Sequence, residues 1–334
     1  MQQALYHPEH GYYSSGRCVI GRKGDYFTNV SVGPLFGQLL AAQFTEIWER
    51  LGRPDGFAIV EQGAHDGQFA RDVLESSQKR SPEFFEALRY RIVEPFPILQ
   101  ERQARTLDSF REKIEWCDSL QPFMGVHFSN ELLDAMPVRL IGGDVEKLVD
   151  LEGDKFVFVE RPLRQGAPAA RLPRDAGSFN QAALDWIDDV ASNLQRGYVI
   201  TIDYGRSGGE FHERIQVRAQ HRNLDSPFEE IGHADITMGV CWPSIVERAQ
   251  ANRLHVARFT DQHHFFTGII SESLDLTSES GVKIKRELQT LLHPEMLGRA
   301  FRVLALSKNV DLTAQKLAGF KFAPEPRSAL RAGR

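Results

Sequence analysis

The stretch FAIVEQGAHDGQFARDVL, Phe57 to Leu74, joins an apolar run, a glycine-containing turn and an amphipathic pattern. A buried strand that feeds a helix through so short a turn points to a parallel sheet, whose strands need helical crossovers. Four further apolar runs follow, YRIVEP, KIEWCD, GVHFSN and GYVITIDYG, with helical patterns between them. RLHVARF and FRVLALS predict two late strands. Upstream, Leu35, Phe36, Leu39, Leu40, Phe44, Ile47, Trp48 and Leu51 recur at helical spacing, opened by Gly33-Pro34 and closed by Gly52. The segment before it, Met1 to Val32, reads as an ordered loop. The expected fold is α/β and doubly wound, with a mostly parallel sheet covered on both faces.

The alternation breaks between Arg139 and Ala176, where VEKLVDL, a Glu-Gly-Asp turn and KFVFVE predict a β-hairpin. QAALDWIDDVASNLQRG then restores a helix with a glycine stop, and a second irregular polar segment runs from Gly205 to Gly232. We expect one domain over residues 1–310, with insertions at about 139–195 and 205–232. The basic tail, 311–334, is expected to be partly disordered.

With 334 residues the chain can bury a sizeable core. A formal net charge of -5 argues against a general nucleic-acid binder, which depends on basic surface. No apolar run approaches membrane-spanning length, and the N-terminus carries neither a signal-peptide nor a transit-peptide pattern. Cys18, Cys117 and Cys241 are far apart and fit neither a disulfide framework nor zinc spacing, which suits a reducing compartment; the expected location is the cytoplasm. His263-His264 has no evident third ligand, so no metal is expected.

In an open parallel sheet, ligands bind beyond the carboxyl ends of the strands. The first strand ends Glu61-Gln62-Gly63-Ala64-His65-Asp66-Gly67. A dinucleotide fingerprint fails here, because His65 and Gln68 replace its second and third glycines. An acid followed by G-x-x-x-G fits a ligand without a pyrophosphate, such as S-adenosylmethionine. Its amino group could meet Glu61, and its carboxylate the first turn of the following helix. Equally, Gly63 and Gly67 could serve only a tight turn. At the end of the second strand, Glu94 could accept the hydroxyls of a ribose or cap the next helix. Asp118, ending the third, could meet an adenine amino group or act as a turn acid.

The fourth strand ends Ser129-Asn130-Glu131-Leu132-Leu133-Asp134. On a helix, Glu131 and Asp134 would share one side, beside the place where a methyl acceptor would enter. No Lys or Arg stands nearby before Arg139. Two such acids suit a guanidinium, or merely a helix start. Asp203, ending the fifth strand, carries the same two readings. Asp235, in IGHADITMG, could be a cap or a site residue.

Together, LYHPEHGYY, IGRKGDYFT, VEQGAHDG, IVEPFPILQERQ, SNELLDAMPV, GYVITIDYG, GHADIT and FRVLALSK carry a resemblance. From about Ala4 to Asn309 the chain resembles the MidA-like family of class I S-adenosylmethionine-dependent methyltransferases, which includes a mitochondrial arginine methyltransferase acting as a complex I assembly factor. The resemblance implies a Rossmann-like sheet of seven strands, the last pair antiparallel. It implies a cofactor pocket lined by Glu61, Gly63 and Gly67, with Glu94 near the ribose. It implies that the loop with Gly24 and Asp25 folds over the site, and that NELLDAMPV lies at its mouth.

The chain departs from the family in four places. His65 replaces a glycine; Met238 and Gly239 replace Ala and His; HERIQVRAQHR lacks a G-T-L opening; and the sequence starts directly at LYHPE, so a preceding helix is expected to be absent. The expected activity is methyl transfer from S-adenosylmethionine to a protein or peptide arginine. Asn130, Glu131 and Asp134 would lie at the acceptor, with help from Asp203 or Asp25. The alternatives are a non-catalytic partner-binding or assembly factor with the same fold and, disfavoured by the broken fingerprint, a nicotinamide dehydrogenase. Nothing in the sequence opposes a homodimer.

Overall fold

The protein is described from a computed structural model covering residues 1–18, 28–163, 178–206, 215–273, 282–311 and 316–325. Strands β1 (Phe57–Gln62), β2 (Leu88–Val93), β3 (Ile114–Cys117), β4 (Phe123–Asn130) and β9 (Leu194–Arg206) run parallel in the order β3-β2-β1-β4-β9. Two late strands, β14 (His255–Asp261) and β15 (Phe301–Lys308), extend the sheet. β15 runs antiparallel both to β9 and to β14. This is the seven-strand arrangement expected, with one addition: two-residue β13 (Val240–Cys241) joins β9 at Gly205 and Arg206.

The period of two in β1 explains its place. Phe57 and Ile59 enter the core under α2 (Leu35–Arg50) and α3 (Gln68–Arg80). Ala58 and Val60 enter the opposite core, under α6 (Gln181–Asn193) and α7 (Trp242–Ala251). A strand buried on both faces has to be apolar throughout, which is why this run was readable. Ala58, Gly125 and Gly197 lie side by side across three strands. A Cβ on Gly125 would collide with the Ala58 backbone, and one on Gly197 with the Gly125 backbone. Gly197 is therefore a sheet residue rather than the helix stop expected; α6 ends at Asn193 and passes straight into β9.

The hairpin is present as β6 (Val145–Glu152) and β7 (Lys155–Pro162). It belongs to a second sheet with β5 (Arg139–Gly142) and β8 (Ser178–Phe179). The first insertion therefore ends before α6, which covers the main sheet; the expected limit near residue 195 is too late. The second insertion holds a hairpin that was not expected, β10 (Gln216–Ala219) and β11 (Arg222–Leu224). Gln220 and His221 turn it with positive φ, without the Asn or Gly that would have signalled such a turn.

Met1–Val32 was also misread in part: Gln2–Tyr6 form a short helix, α1. Leu5, Tyr12 and Cys18 pack with Val217, Ala219, Ala234 and Ile236 in a separate small core. The N-terminal segment, β10 and β12 (Asp235–Thr237) thus form one cap. In the tail, residues 316–325 are docked: Phe320 is fully buried against Phe265, and the Gly319 and Ala318 N–H groups donate to Gln43 and Glu46 of α2. No helix among the described residues is long and apolar enough to cross a membrane.

Candidate active site

Because β1, β2, β3 and β4 are parallel, their carboxyl ends open on one edge. A cavity of about 830 Å³ lies there, lined among others by Glu61, Gly63, His65, Glu94, Asp118 and Glu131. Gly24 and Asp25 lie outside the described residues.

The β1 turn has an alternating backbone. Gly63, His65 and Gly67 have φ of 83°, 48° and 80°. His65 therefore occupies a left-handed position that glycine would adopt without strain. Its Nε2 lies 3.4 Å from the Cys18 carbonyl and its Nδ1 3.7 Å from Asp66 Oδ1, so both ring nitrogens face acceptors. Burial opposes a charge on this ring, but Asp66 and Cys18 outweigh it and raise its pKa to about 9. Glu61 is buried, and burial pushes its pKa up to about 8 although the Tyr90 hydroxyl donates to it at 2.6 Å. Glu94 accepts from the Phe96 N–H at 3.1 Å and from Gln103 Nε2 at 3.1 Å. Gln103 also donates to the His65 carbonyl, tying the first two strand ends together. Asp118 is exposed at the cavity rim, with Gln100 Nε2 3.4 Å away.

Beyond β4 the structure differs from the expected helix start. Residues 131–137 form a turn in which Glu131 has φ 52°. Glu131 is half-buried on the cavity wall. Its Oε1 accepts from the Asn29 N–H and from Asn130 Nδ2, which leaves Oε2 for a guest. Asp134 does not share that exposure. It is 4% accessible and stands behind the wall with Asp203 at 0% and Asp235 at 5%. Asp203 accepts the N–H groups of Leu133, Asp134 and Tyr204 at 2.8–3.2 Å and so staples the turn to β9.

Burial raises three of these acids: Glu131 to about 8, Asp203 to about 7, and Asp134 well above its ordinary range, with Asp203 and Asp235 adding repulsion to Asp134. Asp134 and Asp203 titrate as a pair. The three N–H donors favour the charge on Asp203, so Asp134 keeps the proton. Asp134 Oδ1 and Asn29 Oδ1 are buried acceptors without a hydrogen-bond donor among the described residues.

A family model described as "Putative S-adenosyl-L-methionine-dependent methyltransferase" matches residues 39–260, about two thirds of the chain. The chain belongs to this family. A COG1565 superfamily member from Burkholderia thailandensis, crystallised with S-adenosyl-homocysteine, superposes with a TM-score of 0.86 at 27% identity, covering 98% of this chain and 90% of that one. A Drosophila melanogaster protein named protein arginine methyltransferase NDUFAF7 homolog, mitochondrial, is 25% identical over 93% of this chain and 80% of its own. The Homo sapiens protein arginine methyltransferase NDUFAF7, mitochondrial, is 23% identical over 98% and 82%.

The methyltransferase cavity fits S-adenosylmethionine. Its volume is that of a small-molecule site. Glu61 and Glu94 offer acceptors for the cofactor's ammonium and ribose hydroxyls, and a cation beside Glu61 would favour its ionised form.

Sequence reasoning missed several residues of this methyltransferase's site. Tyr6 and Tyr13 line the cavity and bond the Ala135 carbonyl and Asp235 at 3.1 and 2.6 Å. Asn29, fully buried, donates through Nδ2 to Asn130 at 2.9 Å. The repeated tyrosines of LYHPEHGYY were the available signal. Of the departures, Met238 is buried and its N–H donates to the Asp134 carbonyl, so this backbone contact needs no particular side chain.

His65→Gly is expected to bind S-adenosylhomocysteine as well as or better than the wild type, since glycine removes the backbone strain. Its stability should respond differently to pH. A histidine raised from 6.5 to about 9 stabilises the fold fully below pH 6.5, and that contribution is lost as pH rises through about 9. Melting curves from pH 6 to 10 should show a steeper alkaline decline in the wild type. Parallel profiles would remove the interaction with Cys18 and Asp66 from the account.

Proposed function

We propose that this methyltransferase modifies the guanidinium of an arginine in a protein or peptide. The observation that carries the reading is the acid group: Glu131 on the cavity wall, backed by Asp134, Asp203 and Asp235, with Asp134 Oδ1 buried and unpaired among the described residues. A planar guanidinium offers five N–H donors and matches carboxylates in pairs. The names of the curated relatives support the same class of acceptor.

The bound cofactor supplies a methyl group on positively charged sulfur. The protein's part is positioning and charge. Glu131 Oε2 receives the guest while Asn29 and Asn130 hold Oε1 fixed. A cation beside Glu131 lowers its raised pKa, so the carboxylate forms as the acceptor enters. Once methyl transfer begins, that carboxylate is placed to take the proton that the substituted nitrogen gives up. Glu94 would hold the ribose and Asp118 the adenine amino group. No disulfide joins Cys18, Cys117 and Cys241, which supports a reducing compartment, the cytoplasm in this proposal.

Radiolabelled methyl transfer into a lysate, followed by acid hydrolysis, should place the label in methylarginine. Label in lipid, nucleic acid or an uncharged side chain would remove arginine as the acceptor. Bound cofactor with no transfer at all would favour a non-catalytic partner protein. For the cofactor contact, Glu94→Ala should weaken S-adenosylhomocysteine binding by roughly 1–3 kcal/mol in calorimetry, the scale of a hydrogen bond to a charged group. Unchanged affinity would reject the ribose role.

A further inference from the structure

Gln62 ends β1 one residue after Glu61. It is half-buried on the cavity wall, on the side of α6. Its side-chain oxygen lies 2.9 Å from Trp186 Nε1 and 2.8 Å from His127 Nε2. An indole N–H can only donate, so the amide atom facing Trp186 is the oxygen. That oxygen has no proton to give, so His127 must donate as well. His127 is therefore the Nε2–H tautomer, and its bare Nδ1 is buried without a partner. Full burial, which lowers the His127 pKa to about 3, keeps the ring neutral.

Two buried donors thus clamp the orientation of one amide. Its NH2 makes no hydrogen bond among the described residues, although Gln62 lines the cavity. A fixed donor on a pocket wall calls for an acceptor on the ligand. Leu120, Leu132 and Trp186 line the same cavity, as do Asp185 and Asp189 of α6. Across the sheet, Gln62 pairs with Val93 and Val93 with Cys117, the residue before Asp118. Gln62 and Asp118 thus stand about two strand spacings apart, roughly 10 Å. A purine hydrogen-bonded at both ends spans such a gap.

We propose that Gln62 reads the cofactor's base: its Nε2 donates to adenine N3, the ring nitrogen opposite the 6-amino group that Asp118 accepts. The proposal rests on the adenine orientation given above. It assigns His127 and Trp186 a positioning role, because they hold the amide without touching the ligand through their N–H groups.

Calorimetry separates the possibilities. The wild type should bind S-adenosylhomocysteine about 10-fold more tightly than its 3-deazaadenosine analogue, which lacks the N3 acceptor. Gln62→Ala should bind S-adenosylhomocysteine about 10-fold more weakly than the wild type and should no longer distinguish the two ligands. Gln62→Glu, which puts an acceptor where the donor stood, should be weaker still. Circular dichroism and melting of each variant establish that it folds. Equal affinity of the wild type for both ligands would overturn the proposal. So would a Gln62→Ala variant that keeps the 10-fold ratio, since Gln62 would then act only by packing. The inosine analogue, lacking the 6-amino donor, reports separately on Asp118: equal binding there rejects the assumed orientation while the N3 comparison still tests Gln62.

Discussion

Replacing Glu131 by Gln should lower turnover on an arginine peptide by roughly 10- to 100-fold, the scale of a lost hydrogen bond between charged groups. Affinity for S-adenosylhomocysteine should change by less than about twofold if, as proposed, Glu131 receives the acceptor rather than the cofactor. The pH dependence distinguishes this from a general loss of shape. Burial holds the Glu131 pKa at about 8, so below that pH the empty site carries a proton that a cationic guest must expel. Acceptor KM in the wild type should therefore fall as pH rises toward 8, and this dependence should weaken in Glu131→Gln. Stability of the acceptor-free protein runs the other way. An acid raised from 4.5 to about 8 contributes stability fully present below 4.5 and lost as pH rises through about 8. A variant with unchanged kcat and KM would remove Glu131 from the acceptor site.

Asp203→Asn should destabilise the fold by about 2–4 kcal/mol, a cost typical of buried donors deprived of a charged acceptor. Three backbone N–H groups point at this carboxylate, two of them at Oδ2 and one at Oδ1. An amide has only one accepting atom, so its NH2 must oppose at least one N–H group. The turn carrying Leu133 and Asp134 would then loosen from β9. Denaturant unfolding checks the value; a change below about 1 kcal/mol would mean that the turn is held by other contacts.

The middle of the main sheet was legible because β1, β4 and the centre of β9 are buried on both faces and so are almost continuously apolar, whereas the edge strand β3 is only half-buried. Glu61, Gly63, His65, Glu94 and Asp118 could be gathered in advance because each lies at or just past the end of a parallel strand, and parallel strands end together. The residues beyond β4 were less legible. The three-residue spacing of Glu131 and Asp134 suggested a helix, whereas positive φ at Glu131 makes a turn that separates them into a wall residue and a buried one. Nothing local in the sequence signals that conformation. Tyr6, Tyr13 and Asn29 escaped for another reason: their partners are distant in the chain, and no spacing rule links them. The backbone at His65 shows the opposite case, in which a left-handed conformation suited to glycine carries a side chain.

The cap carries a consequence for the order in which the protein is made. Tyr13 leaves the ribosome early, yet the Asp235 carboxylate it bonds lies 222 residues further on. The sheet strands β1 to β4 and their cofactor turns are all synthesised in between. A nascent chain can thus complete the strand ends that line the cofactor side before its N-terminal segment has anything to pack against. Leu5, Tyr12 and Cys18 must wait uncovered until Val217, Ala219 and Ile236 arrive. Closing so long a loop costs only slightly more entropy than closing a shorter one, but it places this contact late in folding. A chain halted before β12 would present the ends of β1 to β4 without Asp235, so the cap is finished last.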